Sequence, residues 1–181
     1  MPHSNIINAK SEDEIWKMIS DQLKSDLGKK DYSALIEDEQ YSILLDIDIN
    51  PDGGSDDGEL LTSLTAKLSD EQQVRFSITH QGFKSEVRKL FGMQDIEIGS
   101  KEFDNKFIIK GNTTEKVKEI FSNEELRFAL LKLDNIIFEI RDHKIGAHKE
   151  VVLALDISEV VNDPLQLRSL YKSFKLVLSH F

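Results

Sequence analysis

Tyr41-Ser42-Ile43-Leu44-Leu45-Asp46-Ile47-Asp48-Ile49 is the stretch on which the fold turns. Ile43, Leu45, Ile47 and Ile49 recur at every second position. Ser42, Asp46 and Asp48 stand between them, with Leu44 the one departure. A period of two puts the apolar set on one side of a pleated chain, so the stretch reads as a half-buried strand. Asn50 to Gly58 (NPDGGSDDG) follows, a run of Gly and Asp that favours a turn. Leu60, Thr62, Leu64, Ala66 and Leu68 then alternate again. Leu60, Leu61, Leu64 and Leu68 would also suit a helix, but a turn between two alternating runs favours a hairpin. A polar turn at Ser69 to Gln72 leads to a third strand through Val74, Phe76 and Ile78.

Upstream, Ser11-Glu12-Asp13-Glu14 has the form of a capping box. Ile15, Ile19 and Leu23 follow at helical spacing, with Trp16 and Leu27 beside them, which predicts an N-terminal amphipathic helix ending near Gly28. A polar link is expected from there to residue 40, and residues 1–10 are expected to be a flexible N-terminus. Downstream, residues 82–92 fit either helix or strand. Ile96 and Ile98 alternate, and Phe103, Phe107 and Ile109 predict a strand closed by Gly111. Asn112-Thr113-Thr114-Glu115 and Ser122-Asn123-Glu124-Glu125 are two successive helix starts, which predict two short helices with a bend. Ile136, Phe138 and Ile140 predict a strand, and a turn near Ile145-Gly146 separates it from another at Val151 to Leu155. Asp163-Pro164 opens a C-terminal helix whose stripe is Leu167, Leu170, Tyr171, Phe174, Leu178 and Phe181. Such a stripe usually packs into a core, with Phe181 the residue expected to stay partly exposed. The expected class is α+β: a single domain over 11–181, with a mostly antiparallel sheet and helices packed on one face.

The chain has 181 residues, a length that suits one domain, and no cysteine. Disulfides, iron–sulfur clusters, thiolate zinc sites and a cysteine nucleophile are thereby excluded. Its formal charge of −10 repels phosphate backbones and anionic membranes, so no nucleic-acid partner is expected. The N-terminal residues lack a basic start followed by an apolar run, and no stretch approaches the length of a membrane span. No membrane insertion is expected, and the expected location is the cytoplasm.

The sharpest chemical pattern lies inside the Gly/Asp turn. Asp48 to Glu59 fits the calcium-loop spacing D-x-[DN]-x-[DN]-G-x5-E. Calcium takes six to eight hard oxygens, and a glycine at the sixth loop position permits the turn that gathers them. Asp48, Asn50, Asp52, Asp56 and Glu59 would supply side-chain oxygens and Gly54 its carbonyl. Ser55 stands where an EF-hand carries an apolar residue, Pro51 suits the winding loop poorly, and a strand precedes where a helix is required. An acidic hairpin turn explains the same residues through turn chemistry alone. His143 and His148 flank the turn at Ile145-Gly146, with Asp142 and Glu150 beside them, and could face each other across a hairpin. Their spacing matches no ligand motif. His3, His80 and His180 show no ligand pattern. The paired carboxylates Asp46/Asp48 and Asp56/Asp57 lie in or near the most polar turn, where acids stay solvated, whereas acid–base catalysis requires one of a pair to be desolvated. No nucleophile elbow, phosphate loop or dinucleotide fingerprint occurs, and Gly82, Gly92 and Gly99 are too widely spaced to cradle a phosphate.

Phe91-Gly92-Met93-Gln94-Asp95-Ile96-Glu97-Ile98-Gly99, followed by Phe103-Asp104-Asn105-Lys106-Phe107, resembles the pattern F-G-x-x-[DE]-I-x-x-G…F-D-x-x-F of a bacterial domain family of unknown function, some of whose members are membrane-anchored. The likeness spans residues 74 to 133. It implies a bacterial origin and a soluble sheet-plus-helix domain, and it implies no activity. Physically the motif is structural: its glycines permit turns, Phe103 and Phe107 would share a strand face, and Asp104 would cap or bond a nearby turn. The expectation for function is a non-catalytic soluble binding or interaction domain whose partner is unknown, a protein being one candidate. The alternatives are a calcium-responsive protein and an enzyme whose site is assembled from separate strands.

Overall fold

The computed structural model describes residues 5–8, 11–25, 31–38, 40–48, 61–82, 92–146 and 148–181. In chain order the elements are β1 (Asn5–Asn8), α1 (Glu12–Ser25), β2 (Asp31–Glu37), β3 (Ser42–Asp48), β4 (Thr62–Lys67), β5 (Phe76–His80), β6 (Gln94–Asp95), α2 (Lys101–Lys106), β7 (Phe107–Gly111), α3 (Thr114–Phe121), α4 (Glu124–Leu131), β8 (Ile136–Ile145), β9 (His148–Ile157) and α5 (Pro164–Leu178). The strands form one nine-stranded sheet in the order β1-β2-β3-β4-β9-β8-β5-β7-β6. β1 and β2 run parallel, with α1 as the crossover that a parallel pair needs. The other pairings are antiparallel, so the protein is a single α+β domain with a mostly antiparallel sheet. No helix among the described residues is long and apolar enough to cross a membrane.

Local chemistry accounts for the starts of α1, α4 and α5. Ser11 Oγ accepts the Glu14 amide at 3.3 Å, and Ile15, Trp16, Ile19 and Leu23 of α1 are buried. Asp163 Oδ2 accepts the Gln166 amide at 2.9 Å ahead of Pro164, which starts α5. The second of the two central starts lies one residue later than its sequence box. Asn123 accepts the Leu126 amide at 3.0 Å, while the Ser122 hydroxyl donates back to the Glu119 carbonyl and closes α3.

The apolar face of the sheet is a continuous row. Ile109, Ile78, Phe138, Leu155, Leu64, Leu45 and Ala34 are successive cross-strand neighbours, all buried. Phe138 lies at its centre, with ring centroids 5.8 Å from Phe76, 6.3 Å from Phe121 on α3 and 5.9 Å from Phe174 on α5. Offset and edge-to-face contacts of this kind add to the burial of each ring. The stripe of α5 is core as read: Leu167, Leu170, Tyr171, Phe174 and Leu178 are buried and Phe181 is half-buried.

Three local expectations change. Asn5–Asn8 is a strand, because Ile7 seats in the core with no exposed surface; two isoleucines were too few to show an alternation. The polar link to residue 40 contains β2, whose buried Tyr32, Ala34 and Ile36 do alternate but are masked by the small Ala34 and by Leu35 on the other face. Phe103 and Phe107 do not share a strand. Phe103 is on α2, Phe107 opens β7, and their rings meet across the joint at 4.9 Å. Asp104 makes that joint by accepting the Ile98 amide at 2.8 Å and the Gly99 amide at 2.9 Å, where Gly99 has φ +90°. The ambiguous segment 83–91 lies outside the described residues.

Asp38 latches the β2–β3 turn to α5. One carboxylate oxygen accepts the Gln40 and Tyr41 amides, each at 2.9 Å; the other accepts the Tyr171 hydroxyl at 3.2 Å and the Lys175 ammonium. Burial opposes the charge on Asp38, but Lys175 and the two amides outweigh it and hold the pKa below its ordinary 3.8. Burial and the Asp38 charge together push the Tyr171 hydroxyl well above its ordinary range. Because the folded carboxylate binds its proton more weakly than the unfolded one, its stabilisation is present above the unfolded pKa and is lost as pH falls through the folded one. Asp38→Asn is therefore expected to lower Tm at pH 7. It should also flatten the loss of stability seen below about pH 4. Thermal unfolding across pH for both proteins checks this.

Candidate functional site

On each strand, alternate residues point away from the apolar row just described. Glu139 and Arg141 on β8, Asp156 on β9 and Ser77 on β5 share that other face, and the register sets Glu139 beside both Ser77 and Ala154. Glu139 and Asp156 are each 3% exposed and are the only buried charged residues among those described. Arg141 Nη1 donates to Glu139 Oε1 at 3.2 Å and to Asp156 Oδ2. Ala154 stands on β9 between the positions of Asp156 and Val152 and pairs with Glu139. Burial disfavours the charge on Arg141, but Asp156 and then Glu139 outweigh it and raise its pKa above the ordinary value.

A guanidinium keeps its proton throughout the working pH range, so the acids face a permanent cation and not a proton donor. The sequence reading did not single out these residues. The available signal was charge inside apolar strand runs: Glu139 and Arg141 interrupt Ile136-Ile137-Phe138 and Ile140, and Asp156 interrupts Val151 to Ile157.

The residues proposed for calcium are only partly in view. Asp48 ends β3, its amide donates to the Leu61 carbonyl at 2.8 Å, and Ile47 pairs with Thr62. The chain therefore leaves on one strand and returns on its antiparallel neighbour, so the loop joins a hairpin and an EF-hand's leading helix is not there. Asp31 is directly opposite Asp48 on β2, and Asp46 shares their face. Asn50, Asp52, Gly54, Asp56, Asp57 and Glu59 lie outside the described residues.

The β8–β9 register resolves the histidine question. His143 pairs with Glu150 and His148 with Ile145, which places both imidazoles diagonally on one face. Both are exposed, and Glu150 is engaged by Lys67 at 2.7 Å. Asp142 lies on the opposite face, 3.5 Å from Arg75 and 3.6 Å from Lys149. Among the described residues no group of three or more His, Cys, Asp or Glu is placed to hold a metal ion. His80 packs against Phe107, His180 lies 3.4 Å from Glu119, and His3 is outside the described residues.

A scan against protein-family models finds no match, and a search of curated proteins finds none. Among solved structures, the chain aligns with the crystal structure of the mycobacterial trehalose monomycolate transport factor A, TtfA. The alignment has a TM-score of 0.46 at 8% identity and covers 88% of this chain and 82% of that one.

Removing one partner of a buried ion cluster leaves charge without compensation, at a cost of about 3–5 kcal/mol, whereas replacing the whole cluster by apolar side chains is often neutral. Arg141→Met is expected to lose stability on that scale. Arg141→Met/Glu139→Leu/Asp156→Leu is expected to regain most of it. Urea unfolding of the two variants checks this, and a triple variant as unstable as the single one would contradict a purely structural role.

Proposed function

We propose that the protein is a non-catalytic interaction domain that works by binding a protein partner through its surface. The carrying observation is the division of its side chains. The buried acids Glu139 and Asp156 are bound to a cation that cannot titrate, while Phe128 and Leu165 stand 63% and 77% exposed. Lys132 Nζ lies 4.1 Å from the centre of the Phe128 ring, so this aromatic carries a cation within an otherwise acidic protein. Aromatic residues are enriched at contact surfaces. On this reading α1, α2, α3 and α5 cover the Phe138 face of the sheet. The partner meets the outer surface, the location is cytoplasmic, and the likeness of residues 74–133 to a bacterial domain family belongs to the same proposal. Native mass spectrometry of the protein taken from its own cells is expected to show a bound polypeptide, lost in Phe128→Ser/Leu165→Ser at unchanged Tm. A turnover abolished by Asp156→Asn and untouched by the surface changes would overturn it.

A calcium-responsive role is the second reading, favoured by Asp31 standing directly opposite Asp48 at the root of the acidic loop. With Asp46 on the same face, three carboxylates stand together there. Asp48, Asn50, Asp52, Asp56 and Glu59 would be its ligands. With about 1 mM calcium and a Kd near ~10 μM, the expected stabilisation is about 2.7 kcal/mol. For this chain length that is a Tm rise of roughly 5–10 °C, specific against magnesium and removed by Glu59→Ala. An unchanged Tm would remove this reading.

A further inference from the structure

Leu44 departs from the polar alternation of β3, and Leu35 does the same in β2. The register sets the two directly opposite one another, and sets Leu35 beside Ile6 of β1. The three form one row across three strands, on the side of the sheet away from Ile7, Ala34 and Leu45. On the Ala34 side, the Tyr32 hydroxyl donates to Gln22 of α1 at 2.9 Å, so α1 lies across the sheet from this row. Leu35 and Leu44 are half-buried and Ile6 is 67% exposed. None of them joins the core, whereas the half-buried Leu131, Val160 and Leu176 pack against it. Polar residues ordinarily occupy the solvated face of an antiparallel sheet. Three adjoining aliphatics on that face leave apolar surface for a partner to bury.

Acids bracket the row. Glu37 stands two residues beyond Leu35 on β2, and Asp46 two residues beyond Leu44 on β3. Because the strands are antiparallel, these acids lie on opposite sides of the row, each about 7 Å along its strand. Elsewhere the chain answers its acids with its own cations, as Lys175 does Asp38, Arg168 does Glu12 and Lys67 does Glu150. Among the described residues, no cation pairs with Glu37 or Asp46.

We propose that this row is the docking site of a basic amphipathic helix from another protein. Its apolar stripe lies on Leu44, Leu35 and Ile6, and lysines or arginines on its two flanks reach Asp46 and Glu37. Spacing favours a helix. Strands lie about 4.8 Å apart, close to the ~5.4 Å advance of one helical turn, so positions i, i+4 and i+7 of a helix laid across the strands meet the three members of the row. An extended strand added beside β1 would meet Ile6 alone. Charge selects among helices. Acids on both sides of the row, on a chain of −10, repel a second copy, an acidic helix and an anionic membrane, and attract a cationic helix. The inference rests on the reading of the protein as an interaction domain but uses a surface other than Phe128 and Leu165, so the two fail separately.

The test is fluorescence anisotropy of the full chain with a labelled leucine–lysine peptide whose leucines fall at helical spacing on one side. The expected Kd is on the order of 10 μM. A peptide of the same composition with its leucines scattered should bind about tenfold more weakly. Leu35→Thr/Leu44→Thr keeps every charge and retains strand-forming residues, and should weaken the striped peptide by about tenfold. Glu37→Lys/Asp46→Lys keeps the apolar row, and should turn the preference to a leucine–glutamate peptide of the same pattern. Phe128→Ser should change none of these affinities. No binding up to about 1 mM, equal binding of the scattered peptide, or indifference to either pair of substitutions would each overturn the proposal.

Discussion

The whole sheet depends on the pairing of β8 with β9. These are its longest strands, ten residues each, and they stand between β4 and β5, which follow one another in the chain. On one side β9 completes the ladder of the N-terminal strands through Leu64–Leu155. On the other, β8 completes that of β5 and β7 through Ile78–Phe138. Among the described residues, neither half pairs with the other in the sheet except through this hairpin. The Phe138 cluster is its side-chain counterpart, since one ring from β8 meets rings from β5, α3 and α5.

That central position explains why charge can lie buried here. β8 and β9 are covered on both faces at their middle, and the buried acids sit on these two strands. A cation from the same hairpin satisfies them, so their desolvation is compensated within one local unit. Sliding β8 against β9 by one residue would separate Arg141 from Asp156 and turn charge toward Phe174. The cluster thereby penalises wrong registers, whatever it contributes to net stability.

Strands with a polar alternate face were legible one at a time. Ile43, Leu45 and Ile47 announced β3, and Leu64 and Ala66 announced β4, because one face of each is solvated enough to carry Ser, Thr and Asp. Helix starts were legible where a side chain caps the backbone, as at Ser11 and Asp163. Strand order was not legible: nothing near β4 or β5 signals that residues 136–157 will insert between them. The edge strand was hidden for a different reason, since a short strand with one core side chain, Ile7, has no period to detect. The Phe103–Phe107 joint was hidden because a single helical turn between two turn signals imitates alternation. The charge cluster required three residues from two strands, and only the register brings Arg141 to Asp156.

The inserted hairpin also has a kinetic meaning. Contacts between β4 and β9 close a loop of roughly ninety residues, and long closures form late and slowly. During synthesis the chain emerges from its N-terminus, so β1 to β4 can form their ladder while the β4 edge still awaits β9. That edge carries Leu64 and Ala66, the kind of surface on which unfinished chains aggregate. Folding of the N-terminal strands is therefore hostage to residues 136–157, and a nascent chain stalled before β8 would present an open sheet to its neighbours.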